Sequence, residues 1–229
     1  MNVEVILANL PKLLEGALLT FELVVLSLVV GMILALPAAL MRVSRRRWLQ
    51  WPAFAYIFFF RGTPLLVQIF LIYYGLGQFE TVRDSALWPI LREPYWCAII
   101  AFALNTGAYT AEIFRGAIQA VPVGEVEAAT AFGMSRPLAL RRIILPRAFR
   151  IALPAYGNEV ILMLKGSALA STITLLDLTG MARTIIARTY MPVEIFLAAG
   201  LIYLAMTFTF VQLYRLLERR LTRHVVGAR

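Results

Sequence analysis

A charge-free apolar run at residues 23–41, LVVLSLVVGMILALPAALM, limits this chain more than any other feature. A hydrocarbon core of about 30 Å is crossed by roughly 20 mostly apolar helical residues, and this run has that length with no ionisable group to desolvate. It is too long for the apolar segment of a signal peptide, and the residues before it, with Glu4, Lys12, Glu15 and Glu22, supply no basic leader. A retained membrane helix is expected. Further spans are expected at about 51–77, with Arg61 inside it, about 95–120, about 151–173 and about 193–217. The fourth is interrupted by Pro154, Gly157 and Gly166. Hydrophobic residues make up 61% of the 229, above the roughly half of ordinary soluble domains. The expected fold is all-α and integral to the membrane, a single transmembrane domain over residues 1–229 with about five helices.

The formal charge of +9 raises nucleic acid as a partner, and the positions of the basic residues answer it. Arg42, Arg45, Arg46 and Arg47 follow the first span; Arg136, Arg141, Arg142, Arg147 and Arg150 separate the third from the fourth; Arg215, Arg219, Arg220 and Arg223 close the fifth. All three clusters fall on one side. On the other, Glu80, Asp84 and Glu93 outweigh Arg83 and Arg92, and Arg183 and Arg188 face Asp177 and Glu194. Basic residues gather in cytoplasmic loops, so the N-terminus is expected outside and the C-terminus in the cytoplasm, with no nucleic-acid role. Cys97 is the single cysteine and His224 the single histidine. Neither has company at ligand spacing, so no metal site is expected, and they assemble no nucleophile–base pair for an enzyme.

The loop at about 122–146 contains GEVEAATAFGMSRPLALRRIILP. Glu125, Ala128, Ala129 and Phe132 recur at helical spacing, with Gly133 as a stop and Pro137 opening a second short helix. Small alanines admit close approach by another surface. On the residues alone, an amphipathic helix resting on the membrane or the bundle and a docking element both remain open.

The order Glu127, Ala128, Ala129, three residues, Gly133, nine residues, Ile143, one residue, Leu145, Pro146 resembles the EAA loop of bacterial ABC importer permeases. The resemblance extends over nearly the whole chain: FRGTPLLVQIFLIYYGLGQFE, FALNTGAYTAEIFRGAIQAVP and ALPAYGNEVILMLKGSALASTITLLDLTGMARTI are similar to polar amino acid permeases, nearest the M-type subunits of importers for arginine, ornithine, histidine, lysine and opines. It implies a type I importer permease fold in the bacterial inner membrane, in which this loop forms a coupling helix seated in a groove of a cytoplasmic ATPase. It also implies a second permease subunit of the Q type, two ATPase subunits and a periplasmic amino-acid-binding protein. The chain has no GxxxxGK[ST] motif, so ATP and Mg belong to the partner ATPase and this chain carries no cofactor of its own.

Polar groups inside a bilayer are costly and face the bundle interior, a water-filled cavity or a partner. Candidate substrate contacts are Asn158 and Glu159 in the fourth span, Arg61, Thr63 and Gln68 in the second, and Asn105 in the third. Glu159 is either a counter-charge for a basic amino acid or a carboxylate satisfied by a neighbouring helix or by Arg61. Arg61 either holds a substrate carboxylate or binds carbonyls left free near Pro64. Asn105, Tyr109 and Glu112 form a stripe read first as an interhelical contact, and Glu112 pairs most simply with Arg115. Lys165, about 240° around the helix from Glu159, needs another partner or a helix break at Gly166. A secondary transporter or channel is the alternative class. It should show an internal repeat, and neither the EAA segment nor RGTP recurs.

Overall fold

The computed structural model of the chain describes residues 3–222; Arg223 and His224 lie outside the described residues. The order is α1 (Val3–Val43), α2 (Arg47–Gly62) and α3 (Leu65–Phe70), which continues through a π turn (Leu71–Gly75) and a 3-10 turn (Leu76–Gln78). Two short helices, α4 (Glu80–Arg83) and α5 (Trp88–Leu91), lead to α6 (Pro94–Gln119). Then come α7 (Val123–Ala131), α8 (Arg136–Ala139) with a π turn (Leu140–Ile144), and α9 (Leu145–Gly166) with a 3-10 turn (Ser167–Ile173). The last two are α10 (Leu178–Thr189) and α11 (Pro192–Thr222). Among the described residues there is no strand.

Three helices, α1, α6 and α11, are each long and apolar enough to cross a membrane, and two bent pairs raise the number to five if each is one span. The bends are 108° between α2 and the 65–78 segment, and 49° where the α8–α9 stretch meets α10. The expected second and fourth spans fall on these pairs. Two expectations need correction. The polar N-terminal residues belong to α1 itself, whose 41 residues extend about 60 Å, twice the hydrocarbon thickness. And α9 runs unbroken through Pro154 and Gly157. A proline removes one backbone bond, and here the buried Ala152, Leu153, Gly157 and Val160 hold both halves of α9 against their neighbours. The helical winding changes only at Gly166, which precedes the 3-10 turn.

The bundle is built on α1 and α6, which run side by side in the same direction. The Tyr95 hydroxyl donates to Glu22 Oε1 at 2.6 Å near one end, and Ala39 packs with Phe114 and Ala117 toward the other. Between them Gly31 and Gly107 meet: a Cβ on Gly107 would lie 2.7 Å from the Tyr56 hydroxyl and 3.1 Å from the Gly31 carbonyl oxygen. Small residues at the crossing let the two backbones approach, the usual basis of helix association in lipid. Leu23, Val24 and Leu28 of α1, Phe102 of α6, Ile69 of α3 and Met163 and Leu164 of α9 form the central core.

Helix α10, which lies where a loop is expected before the fifth span, is locked between α1 and α11. Buried Asp177 caps it by accepting from the backbone N–H groups of Gly180 at 3.1 Å and Thr179 at 3.3 Å. The Leu178 N–H donates to Thr20 Oγ1 on α1 at 3.0 Å, and the hydroxyls of Thr179 and Tyr203 on α11 lie 3.0 Å apart. The Asp-Leu-Thr-Gly start was a legible N-cap.

Candidate functional site

The break between α2 and α3 follows from Pro64. Without an N–H, Pro64 leaves the Phe60 carbonyl, four residues earlier, with no helical donor. Two side-chain amides replace it: Gln68 Nε2 donates to Phe60 O at 2.8 Å and Asn105 Nδ2 at 3.2 Å. Gln68 Nε2 also lies 3.0 Å from the Thr63 carbonyl and 2.8 Å from Thr63 Oγ1, while Asn105 Nδ2 donates to Gln68 Oε1 at 2.9 Å. Gln68 is 2% exposed. Thr63, Gln68 and Asn105 thus form one network that clamps the bend to α6. The carbonyl near Pro64 that the sequence offered to Arg61 is taken by these amides.

Arg61 turns instead to α6. Its guanidinium lies 5.2 Å from the centre of the Tyr109 ring and 3.8 Å from Glu112. Glu112 also meets Arg42 at 3.5 Å and Arg115 at 2.7 Å. The expected Glu112–Arg115 pair is present, but it is part of a larger hub in which one carboxylate serves three guanidiniums from α1, α2 and α6. The Asn105–Tyr109–Glu112 stripe is accordingly an interhelical seam. What the sequence did not reveal is that Arg42, read only as a loop charge, reaches it.

Asn158 and Glu159, adjacent in sequence, are separated by the helical turn. Glu159 is 7% exposed and accepts from Thr106 Oγ1 of α6 at 2.9 Å; it forms no ion pair among the described residues. Asn158 lies on the exposed face of α9 with Pro154, Ala155 and Lys165, beside a cavity of about 260 Å³ shared with Phe210 and Tyr214. Lys165 has no ion-pair partner among the described residues. The structure therefore brings Thr63, Gln68 and Asn105 together, bonds Glu159 to the neighbouring α6 residue Thr106, and leaves Asn158 apart. A wider cleft of about 660 Å³, bordered by Thr172, Thr174, Arg183 and Thr184, was not anticipated, because α10 was not.

At the basic end, α7 closes with two bonds: the Met134 N–H donates to Ala129 O at 3.0 Å and the Gly133 N–H to Thr130 O at 2.9 Å. Gly133 has φ +73°, the left-handed turn that glycine adopts without penalty. Pro137 stands in the first turn of α8 and Pro146 in that of α9. Glu125 is tied to Arg147 at 3.3 Å, bracing α7 against the start of α9. The anticipated face splits in two. Ala129 is 3% exposed and packs inward, whereas Val123, Glu127, Ala128 and Phe132 face outward, Phe132 at 86% exposure. Ile143 lies in the π turn and Leu145 begins α9, both half-buried.

A helical membrane subunit with polar groups clamped inside its bundle and a braced helix projecting from its basic end is the architecture of a transporter's membrane half. The chain belongs to the family described as binding-protein-dependent transport system inner membrane components, which matches residues 27–223. It is 57% identical to an octopine transport system permease protein of Rhizobium meliloti over 93% of this chain and 90% of that one. It is 50% identical to a nopaline transport system permease protein of Agrobacterium fabrum, covering 98% and 94%. With the histidine/lysine/arginine/ornithine transport system permease protein of Escherichia coli K12 it shares 46% identity, covering 92% and 89%. A crystal structure of an amino acid ABC transporter superposes with TM-score 0.86 at 39% identity, over 96% of this chain and 99% of that one. The methionine ABC transporter MetNI, at 16% identity and TM-score 0.78, shares the fold. The chain is a permease subunit of an ABC importer in the inner membrane, a transport protein and not an enzyme. The gradient-driven carrier or channel finds no support among these relatives.

Proposed function

We propose that this subunit, paired with a Q-type permease, forms the path of an importer for basic amino acids. The N-terminus lies in the periplasm and the C-terminus in the cytoplasm, where α7 enters a groove of an ATPase subunit. Closure of two ATPases draws the coupling helices together; the path opens outward, receives substrate from the binding protein, and releases it inward after hydrolysis, with ATP and Mg held by the ATPases. The observation that carries this reading is the outward face of α7, where Glu127 and Ala128 stand clear of the bundle while Ala129, Gly133 and the Glu125–Arg147 pair fix its direction. Ile143, Leu145 and Pro146 anchor the exit from the loop.

Basic substrates are supported by the substrates for which the relatives are named and by Glu159, a buried carboxylate that accepts from Thr106 and has no ion-pair partner among the described residues. A cation entering between α6 and α9 meets this charge when the helices part. Thr63, Gln68 and Asn105 hold the bend that shapes the wall, Arg61 borders it through Glu112, and Asn158 faces the second permease across the path.

Site-specific cross-linking tests the docking. The single cysteine, Cys97, is buried, so a cysteine at Ala128 supplies the reactive thiol. Ala128→Cys is expected to cross-link to the ATPase subunit in the assembled complex, and Ala129→Cys is not. Equal labelling of both, or none at position 128, removes α7 from the interface.

A further inference from the structure

The turn from α1 into α2 carries a feature that transport does not explain. The charge-free run at 23–41 is about 28 Å long as helix, so Arg42–Arg47 emerge at the level of the lipid headgroups. From there α2 presents Trp48 and Trp51, each 67% exposed, and Phe54 and Phe58, at 40% and 69%, along one side. Exposed tryptophans at this depth are the mark of a membrane interface. A groove of about 320 Å³ opens among Arg42, Arg47, Gln50, Trp51 and Phe54. A second, of about 280 Å³, shares Arg42 and Phe54 with it and continues past Ile57 and Phe58 to Arg61.

The charge in this trough is not balanced by the protein. Arg42 and Arg61 share Glu112 with Arg115, and Arg47 has no ion-pair partner among the described residues. Three guanidiniums thus face one carboxylate, with a fourth unpaired at the mouth. Guanidinium is the side chain best shaped for phosphate, and basic pockets between membrane helices take lipid headgroups. An acidic protein segment would use the charge but not the apolar continuation along Phe54, Ile57 and Phe58.

We propose that this trough is a binding site for one anionic phospholipid, with its phosphate between Arg42 and Arg47 and an acyl chain along Phe54, Ile57 and Phe58. The inference requires only that the chain lie in a membrane, so it stands or falls apart from the substrate and coupling assignments.

Native mass spectrometry of the assembled transporter, titrated with phosphatidylglycerol or phosphatidylcholine, tests it. Retention of one phosphatidylglycerol per copy is expected, weakened roughly thirtyfold in Arg42→Gln/Arg47→Gln by loss of two phosphate contacts. Arg45→Gln/Arg46→Gln, which removes the same charge from the exposed turn, should retain the lipid. Equal loss in both variants, equal retention of the two lipids, displacement by millimolar inorganic phosphate, or displacement when the ATPase subunit binds would each overturn the site. Should the first variant fail to assemble, a photoreactive phosphatidylglycerol on the wild-type complex decides the matter. Adducts centred on residues 47–58 support the site, and adducts spread evenly over the exposed faces of α1 and α11 refute it.

Discussion

Pro64 shows how one missing N–H organises several residues. The orphaned Phe60 carbonyl draws in Gln68 and Asn105, and Gln68→Leu should leave it and the Thr63 oxygens without their main donor. A loss of about 1–3 kcal/mol in stability is expected, read as a lower unfolding temperature of the detergent-solubilised subunit. Glu159→Gln keeps a group that can accept from Thr106 but removes the charge, so uptake of cationic amino acids should fall more than that of neutral ones; an equal fall would make Glu159 structural. The sequence exposed both polar groups, since Glu and Gln inside apolar runs stand out. It did not give their pairing: Asn105 stands out as a polar residue in the third span but without its partner, Thr106 is no more conspicuous than the residues around it, and contact depends on which faces of α6 meet α3 and α9.

At the scale of the element, the glycine crossing of α1 and α6 and the α7 turn make opposite demands. Gly107→Leu must push a side chain into Tyr56 and the Gly31 backbone, costing about 1–3 kcal/mol, whereas Gly116→Leu meets nothing within 4 Å and should be neutral in the same thermal assay. At Gly133 the space is open and the strain is conformational: Gly133→Val forces a β-branched residue into φ +73°, at roughly 1–2 kcal/mol. It should separate ATP hydrolysis from uptake while leaving membrane insertion intact. Gly133→Asn, which tolerates the left-handed region, should keep most coupling. Gly133 and Pro137 were legible because turn chemistry is local. The division of the alanines was not: both fit the same spacing, and Ala129 turns inward where the Glu125–Arg147 tie and the packing of Val126 beside Ala148 and Ala152 set α7 against α9.

For the whole molecule, hydropathy located the three long helices and two bent pairs that are candidate spans among the described residues, because burial in lipid is written in long apolar runs. Bends, surface helices and the length of α1 escaped it. Pro64 marks a break without its angle, and the buried apolar residues of α10, Leu178, Ala182 and Ile185, are spaced along one helix face and make no continuous apolar run. The three-arginine hub at Glu112 joins α1, α2 and α6 just before α7; under the coupling proposed above, this hub is the connection through which a pull on α7 would reach the bend at Pro64.

The most direct test is uptake of labelled arginine into vesicles containing the assembled transporter, with ATP in the compartment that α7 faces and all ion gradients collapsed. Uptake that requires both ATP and the binding protein, and that Gly133→Val abolishes while hydrolysis continues, is the predicted result. Uptake that proceeds without ATP and disappears with the gradients would contradict it.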